Sequence, residues 1–402
     1  MTKRKRRHRR SVDVRINWLQ PHVDGFRDWL GRRNYSPATI TEVVRLLALW
    51  ADWVRTSGFD IDTLASAFSS SASVFGGSKK ARAPQGAALL FITYLREADV
   101  LPSEHQPSLH EIWPELAAFR QWMQEQRGTK GSTLDLYESI LADLLKKLGT
   151  NPASYTVAAI RGFVLERAST AGRWRTQAIA VATRAYLKYL VATEQCPIGR
   201  ERAVPTFANW SLASTPRFLA EAEIDRLVGA CDGEERVRDL AVILLLARLG
   251  LRAGEVANLT FHQIDWAAGQ IVLAGKSRRE ERLPLTQEIG DSLLAYVERA
   301  RPRMATNRVF LTSIAPIRAI SRITVKCIVN RALDRAGITS AHRGAHILRH
   351  SAATTMLRNG VSLTGIGAVL RHRSPSMTAL YAKVDIGLLS EIAQPWGGRL
   401  PC

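Results

Sequence analysis

Residues 371–381 read RHRSPSMTALY, a stretch that sets a tyrosine nine residues after a histidine, across a Ser-Pro turn signal and with no acidic residue between them. The chain holds only 9 histidines and 8 tyrosines in 402 residues, so the pairing asks for a reason. Read alone, a tyrosine closing a helical turn packs into a core, and a histidine before a turn meets solvent. The surrounding sequence decides between packing and chemistry.

Upstream, HILRH (346–350) places His346 and Arg349 at i and i+3, on one face of a helix that Asn359-Gly360 ends. LGLRAGEVANL (249–259) sets Arg252 just past Gly250, which caps the apolar helix before it, and at the start of the next helix. Lys276 lies in GKSRRE, the turn of a β-hairpin with arms QIVLAG and ERLPL. Singly, each has an ordinary reading: Arg252 as a surface ion-pair partner, Lys276 as a solvated turn residue, His346 as a satisfied helix histidine. Together, Arg252, Lys276, His346, Arg349, His372 and Tyr381, with no carboxylate pair and no metal-ligand cluster, suit displacement at a phosphodiester by a tyrosine nucleophile.

The physical reason is charge. A phosphoryl transition state gathers negative charge on its non-bridging oxygens, and arginine forks match that geometry. Histidines add donors or proton carriers. A tyrosine hydroxyl, with a pKa of about 10, needs cationic neighbours to react near neutrality. Lys276 is placed to protonate the departing sugar oxygen.

In residue type and chain order, GLRAGEV, GKSRREERLPL, HILRH, LRH and Tyr381 resemble the arginine, hairpin lysine, HxxR, GH and nucleophile motifs of the tyrosine recombinases of the phage integrase family. The resemblance covers about 215–385. It implies strand cleavage through a 3′-phosphotyrosyl bond with release of a 5′-hydroxyl, and rejoining without nucleotide, metal or other cofactor. It also implies double-stranded DNA as partner and a homo-oligomer on DNA, a tetramer in the synaptic complex. Glu255 falls where the family is commonly acidic; it reads equally well as charge compensation at a helix N-terminus. Arg371 departs from the pattern, standing where the family usually has glycine, so a turn with positive φ there strains the backbone that places His372. After the nucleophile, Val384, Leu388, Leu389 and Ile392 recur at near-helical spacing, and such segments in the family pack on a neighbouring subunit. The wording of this tail resembles integrases of transposable elements that encode several recombinases together.

Outward from this constellation, 402 residues exceed one hydrophobic core. Lysine plus arginine number 56 against 36 acids; seven cations crowd Lys3 to Arg10, leaving +13 elsewhere, which points to a polyanionic partner. No apolar run spans a membrane, LAVILLLA at 240–247 being closed by Arg248, and no apolar signal-peptide core follows the basic N-terminus. Cys196, Cys231, Cys327 and Cys402 show no CxxC spacing, which argues against a zinc site or a disulfide framework and fits a reducing cytoplasm.

A repeat divides the first half. FRDWL (26–30) matches FRQWM (119–123), and YLREADVLP (94–102) matches YLVATEQCP (189–197). The expected organisation is a basic tail (1–13), a helical, core-binding-like domain (14–105), a core-binding helical domain (106–200), a linker (201–214) and a catalytic domain with a C-terminal tail (215–402). The expected fold is mainly α, with a small antiparallel sheet in the catalytic domain. A Ser/Gly-rich stretch at 67–86 reads as a loop. For DNA contact the sequence offers Arg173 and Arg175 around Trp174, with Arg184 on the same exposed helix side, and Lys79, Lys80 and Arg82 in the first copy. Two other functions stay open: a relaxing enzyme of type IB-like chemistry, and an inactive accessory DNA-binding protein.

Overall fold

The computed structural model describes residues 18–76, 78, 83–102, 107–208, 217–274, 280–340, 343–372 and 374–383. The expectations for the tail at 1–13, for Lys79, Lys80 and Arg82, for Lys276, and for the positions from Val384 to Ile392 lie outside the described residues. Among those described, the chain is mainly helical with one three-stranded antiparallel sheet, as the sequence predicts. It divides into two compact units, Met1–Pro102 with Ser214–Cys402, and Ser103–Ala213.

The first unit begins with α1 (Gln20–Arg32), α2 (Pro37–Thr56), α3 (Leu64–Phe75) and α4 (Pro84–Glu97). Pro37 stands in the first turn of α2, where its missing N–H costs nothing, and Ser36 Oγ accepts from the Thr39 amide at 3.3 Å. Their core gathers Phe26, Val43, Leu47, Trp50, Phe91 and Leu95, all fully buried, and Ala315 of the later chain packs against it. The predicted loop at 67–86 is corrected here: α3 runs through the serines to Phe75. Apolar positions Leu64 and Ala67 face the core, and Ser71 joins them because its hydroxyl is used. It accepts from Trp50 Nε1 at 3.0 Å and donates to Gln85 Oε1 at 2.6 Å, tying α2, α3 and α4 together.

The second unit holds α5 (Leu109–Ile112), α6 (Pro114–Arg127), α7 (Gly131–Leu148), α8 (Val157–Ser169) and α9 (Arg173–Ala192). Its helices α6 to α9 pair as α1 to α4 do: the fourth lies on the second and third, and the first touches the second and fourth. The aromatic packing corresponds too. Phe26 meets Phe91 edge-on at 5.2 Å, and Phe119 meets Tyr186 edge-on at 5.4 Å. Trp29 lies 6.1 Å from Tyr94, and Trp122 5.6 Å from Tyr189. Past the fourth helix of each set stands a left-handed acidic residue, Asp99 or Glu194, and two residues on a buried side chain, Leu101 or Cys196. The core continues beyond residue 200 to Val204, which is 3% exposed.

The remaining part of the first unit comprises α10 (Glu221–Gly229), α11 (Val237–Ala247), α12 (Ala253–Asn258), β1 (Ile264–Asp265), β2 (Gln270–Ala274), β3 (Glu280–Pro284), α13 (Gln287–Ala295), α14 (Arg322–Arg335), α15 (Ala345–Arg358), α16 (Leu363–Val369) and α17 (Pro375–Ala382). Helix α11 is the central post, with Ala241 to Leu246 buried all round, and α10, α12, α13, α14 and α15 pack on it. The strands lie in the order β1-β2-β3, and Val272 pairs opposite Arg282, which confirms the hairpin arms. Gly250, after α11, has φ +59°, and a Cβ there would lie 2.5 Å from Leu370 Cδ2. Only glycine allows both the turn and the approach of the 370–372 segment.

Candidate active site

Arg252 is the N-cap residue of α12, and Glu255, one turn on, binds it twice. Glu255 Oε2 accepts from the Arg252 backbone amide at 2.7 Å, and Oε1 accepts from Arg252 Nη1 at 2.8 Å. The guanidinium is thus aimed, and its Nη2 donates to the Arg371 carbonyl at 2.7 Å and the Leu370 carbonyl at 3.4 Å. Arg349, from α15, reaches the same place: it donates to the carbonyls of Gly250 and Leu370 and is only 5% exposed. Burial, aided by Arg252 and Arg371, pushes its pKa down to about 10, so it stays charged at neutral pH. Two guanidinium groups therefore converge on one carbonyl oxygen. Such like charges repel, and a bound anion relieves the repulsion.

The turn between α16 and α17 carries His372. Its amide bonds to the Gly367 carbonyl at 2.9 Å and that of Arg371 to the Ala368 carbonyl at 3.0 Å, a Schellman closure with Arg371 in the left-handed position usually given to glycine. Arg371 has φ +55°, so the turn does require positive φ, at a cost of about 1–2 kcal/mol for a side chain with a Cβ. The arginine's own contacts offset that cost. Its Nη2 donates to Glu255 Oε2 at 2.6 Å and its Nε lies 3.4 Å from Glu281 Oε2 on β3, with the side chain 5% exposed. Arg371 therefore links the hairpin, Glu255 and the histidine turn. Arg371→Ala and Arg371→Gly both lose the ion pairs and only glycine relieves the backbone strain, so we expect both to lower the thermal midpoint and the DNA-cleavage rate, alanine more than glycine. Parent-level behaviour of Arg371→Ala would remove the ion pairs from this role, and equal effects of the two variants would remove the strain.

His372 Nδ1 lies 2.7 Å from Thr378 Oγ1 of α17, and its ring stacks at 6.1 Å and 6° with that of Tyr381. Burial, followed by the field of Arg349 and Arg252, pushes its pKa down to about 4. Tyr381 is 2% exposed and packs on Ala353, Ile366 and Leu370. Burial raises its pKa and Arg349 draws it back. Its hydroxyl lies 2.8 Å from Nδ1 of His350, a residue that sequence reading passed over although it closes the HILRH motif. His346, whose pKa burial lowers, stacks on His350 with ring centroids 6.1 Å apart. The structure thus brings together Arg252, Glu255, His346, Arg349, His372 and Tyr381 from four separate segments of sequence, and adds His350 and Arg371.

Of the DNA-contact residues expected in the second unit, Arg173, Trp174 and Arg175 are exposed at the start of α9, with Trp174 69% exposed. Arg184 is half-buried, and its Nη2 donates to the carbonyls of Val204 and Pro205, at 3.2 and 3.3 Å, so it pins the segment after α9.

Residues 217–386 match the phage integrase family. The chain is 34% identical, over 94% of its own length and 94% of the other's, to the "Putative integrase/recombinase y4rA" of Sinorhizobium fredii. Among solved structures it is similar to the XerH site-specific recombinase bound to palindromic difH substrate, with TM-score 0.54 and 17% identity over 69% of this chain and 83% of that one. The Tn1549 transposon integrase in complex with transposon right end DNA gives TM-score 0.51 and 13% identity over 69% and 99%. At these identities the structural likenesses establish the fold; the sequence matches carry the family. With the convergent arginines, histidines and tyrosine already described, the chain belongs to the phage integrase family and is a tyrosine recombinase, an enzyme that cleaves and rejoins DNA.

Proposed function

We propose that Tyr381 attacks the scissile phosphodiester, forming a 3′-phosphotyrosyl bond and freeing a 5′-hydroxyl, which then attacks the partner strand's phosphotyrosyl linkage to rejoin DNA. The observation that carries this reading is the meeting of the Arg252 and Arg349 guanidinium groups at the Leu370 carbonyl, in the same cluster as Tyr381. In this assignment the two arginines hold the non-bridging oxygens and Glu255 aims Arg252. His346 and His372 supply further hydrogen bonds, and Lys276 protonates the leaving O5′. No metal or nucleotide takes part, so cleavage of a nicked duplex is unchanged by EDTA; loss of cleavage with chelator would overturn the assignment.

The corresponding helix pairing and aromatic contacts of α1–α4 and α6–α9 support reading 14–105 and 106–200 as two copies of one helical DNA-clamping design, ahead of a catalytic domain at 215–402. Arg173 and Arg175 contact phosphates and the exposed Trp174 lies between them. Lys79, Lys80 and Arg82 give the first copy its phosphate contacts. Removing Arg173 and Arg175 together is expected to lower the slope of log binding constant against log salt by about 0.9 for each lost phosphate contact. An unchanged slope would take these residues off the DNA.

The protein acts in this reading as a homo-oligomer, a tetramer in the synaptic complex, in the cytoplasm on nucleoid DNA. It serves a mobile element, alone or beside related recombinases. Strand exchange between two labelled duplexes tests the reading. Relaxation of supercoiled DNA without exchange would instead make it a type IB-like relaxing enzyme, and binding without covalent attachment an accessory protein.

A further inference from the structure

Within the cluster just described, one polar contact of Tyr381 has no role yet. Tyr381 Oη lies 2.8 Å from His350 Nδ1, the rings being 5.6 Å apart and tilted by 57°. The other candidate bases are occupied or turned elsewhere. His372 uses Nδ1 on Thr378 and presents its ring face to Tyr381, and Arg349 is engaged by two carbonyls. His346 stacks on the far ring, that of His350. With Tyr381 2% exposed, the imidazole of His350 is the polar side chain in hydrogen-bond contact with its hydroxyl among the described residues.

We propose that His350 is a further catalytic residue of this recombinase, accepting the Tyr381 proton as the phenol attacks DNA. The proposal rests on Tyr381 being the nucleophile. In the step, the Tyr381 O–H bond breaks and its proton passes to His350 Nδ1 while the Oη–P bond forms. The P–O5′ bond breaks, and O5′ leaves with the bonding pair and takes a proton from the general acid, the role assigned to Lys276. On rejoining, the imidazolium returns its proton to Oη.

Before DNA binds, the electrostatics hold the proton on Tyr381 and keep His350 neutral. His350 faces His346 and Arg349 on its own helix, Tyr381 on α17 and His372 on the intervening turn. Burial, then His346 and Arg349, push its pKa down to about 4, so at neutral pH the ring is neutral and Nδ1 is free to accept. The tyrosine does not ionise unaided, because burial raises its pKa. An incoming phosphodiester places negative charge beside the imidazole and raises its proton affinity, so transfer accompanies attack.

The test measures single-turnover covalent attachment of the full chain to a nicked duplex between pH 5 and 9. His350→Gln keeps a hydrogen-bonding side chain and loses the base. It is expected to react about 10²-fold more slowly at pH 7, with a rate that rises with pH, where the parent's rate is level. A fluorinated tyrosine at 381, whose phenol is more acidic, is expected to raise the His350→Gln rate at least tenfold. A His350→Gln rate equal to the parent's, or a loss that is the same at every pH and not rescued by the fluorinated tyrosine, overturns the proposal; so does a faster rate, which would make His350 a restraint on the nucleophile. Should His350→Gln fail to bind the duplex, His350→Asn, which also keeps a hydrogen-bonding amide and lacks the base, is measured in its place: a slower rate that rises with pH supports the proposal, and a rate equal to the parent's, or a loss that is the same at every pH, overturns it. Attachment mapped to another residue would fail the nucleophile assignment itself, an outcome distinct from all of these.

Discussion

Tyr381→Phe is expected to reduce covalent attachment to DNA to background while binding to the same duplex stays nearly intact. The ring packs on Ala353, Ile366 and Leu370, and phenylalanine preserves that contact. What is lost is the oxygen and its hydrogen bond to His350, a change of about 1 kcal/mol in stability for one hydrogen bond. Chemistry and folding are therefore separable at this position, because the atom that attacks contributes little to the core. Attachment by the phenylalanine variant at a measurable fraction of the parent's rate would show that another nucleophile is in use.

The second large effect is expected at Arg349. Removing a preorganised donor from a developing anionic centre lowers rates by about 10²–10³-fold, and Arg349→Ala is expected to reach at least that range in single-turnover cleavage. Here part of the loss is structural. The guanidinium is buried and fastens the Gly250 and Leu370 carbonyls, so its deletion takes this donor from the Gly250 carbonyl, leaves the Leu370 carbonyl only the longer bond from Arg252, and loosens the segment that carries Arg371 and His372. Arg349→Lys separates the contributions: it keeps the charge, loses the planar fork and cannot fasten both carbonyls as the fork does. We expect the lysine variant to fold and bind DNA while cleaving at least tenfold more slowly. Parent-level cleavage by Arg349→Lys would mean that charge alone suffices.

The sequence made much of this site legible because its parts are local. Gly250 after an apolar run, His346 and Arg349 three apart on a helix, and Tyr381 after a Ser-Pro start are patterns of spacing, and α11, α15 and α17 carry them as expected. The strain at Arg371 was visible as a departure from glycine, but its remedy was not, since Glu281 lies ninety residues earlier on β3 and only the folded chain brings them together. His350 lies outside the i, i+3 pair, although the i+4 step from His346 puts it on the same face. The serines of α3 suggested a loop by composition, whereas Trp50 and Gln85, distant in sequence, satisfy the one buried hydroxyl, that of Ser71. The contacts of Arg184 were equally hidden, because its carbonyl partners at 204 and 205 belong to a segment whose path the helix pattern does not reveal.

The most direct test of the central claim is to trap the protein on a nicked duplex that loses its cleaved 5′ fragment, digest the adduct, and identify the modified peptide by mass spectrometry. A 3′-linked nucleotide is expected on Tyr381 in the segment RHRSPSMTALY. A nucleotide on any other residue, or one joined through its 5′ end, would contradict it.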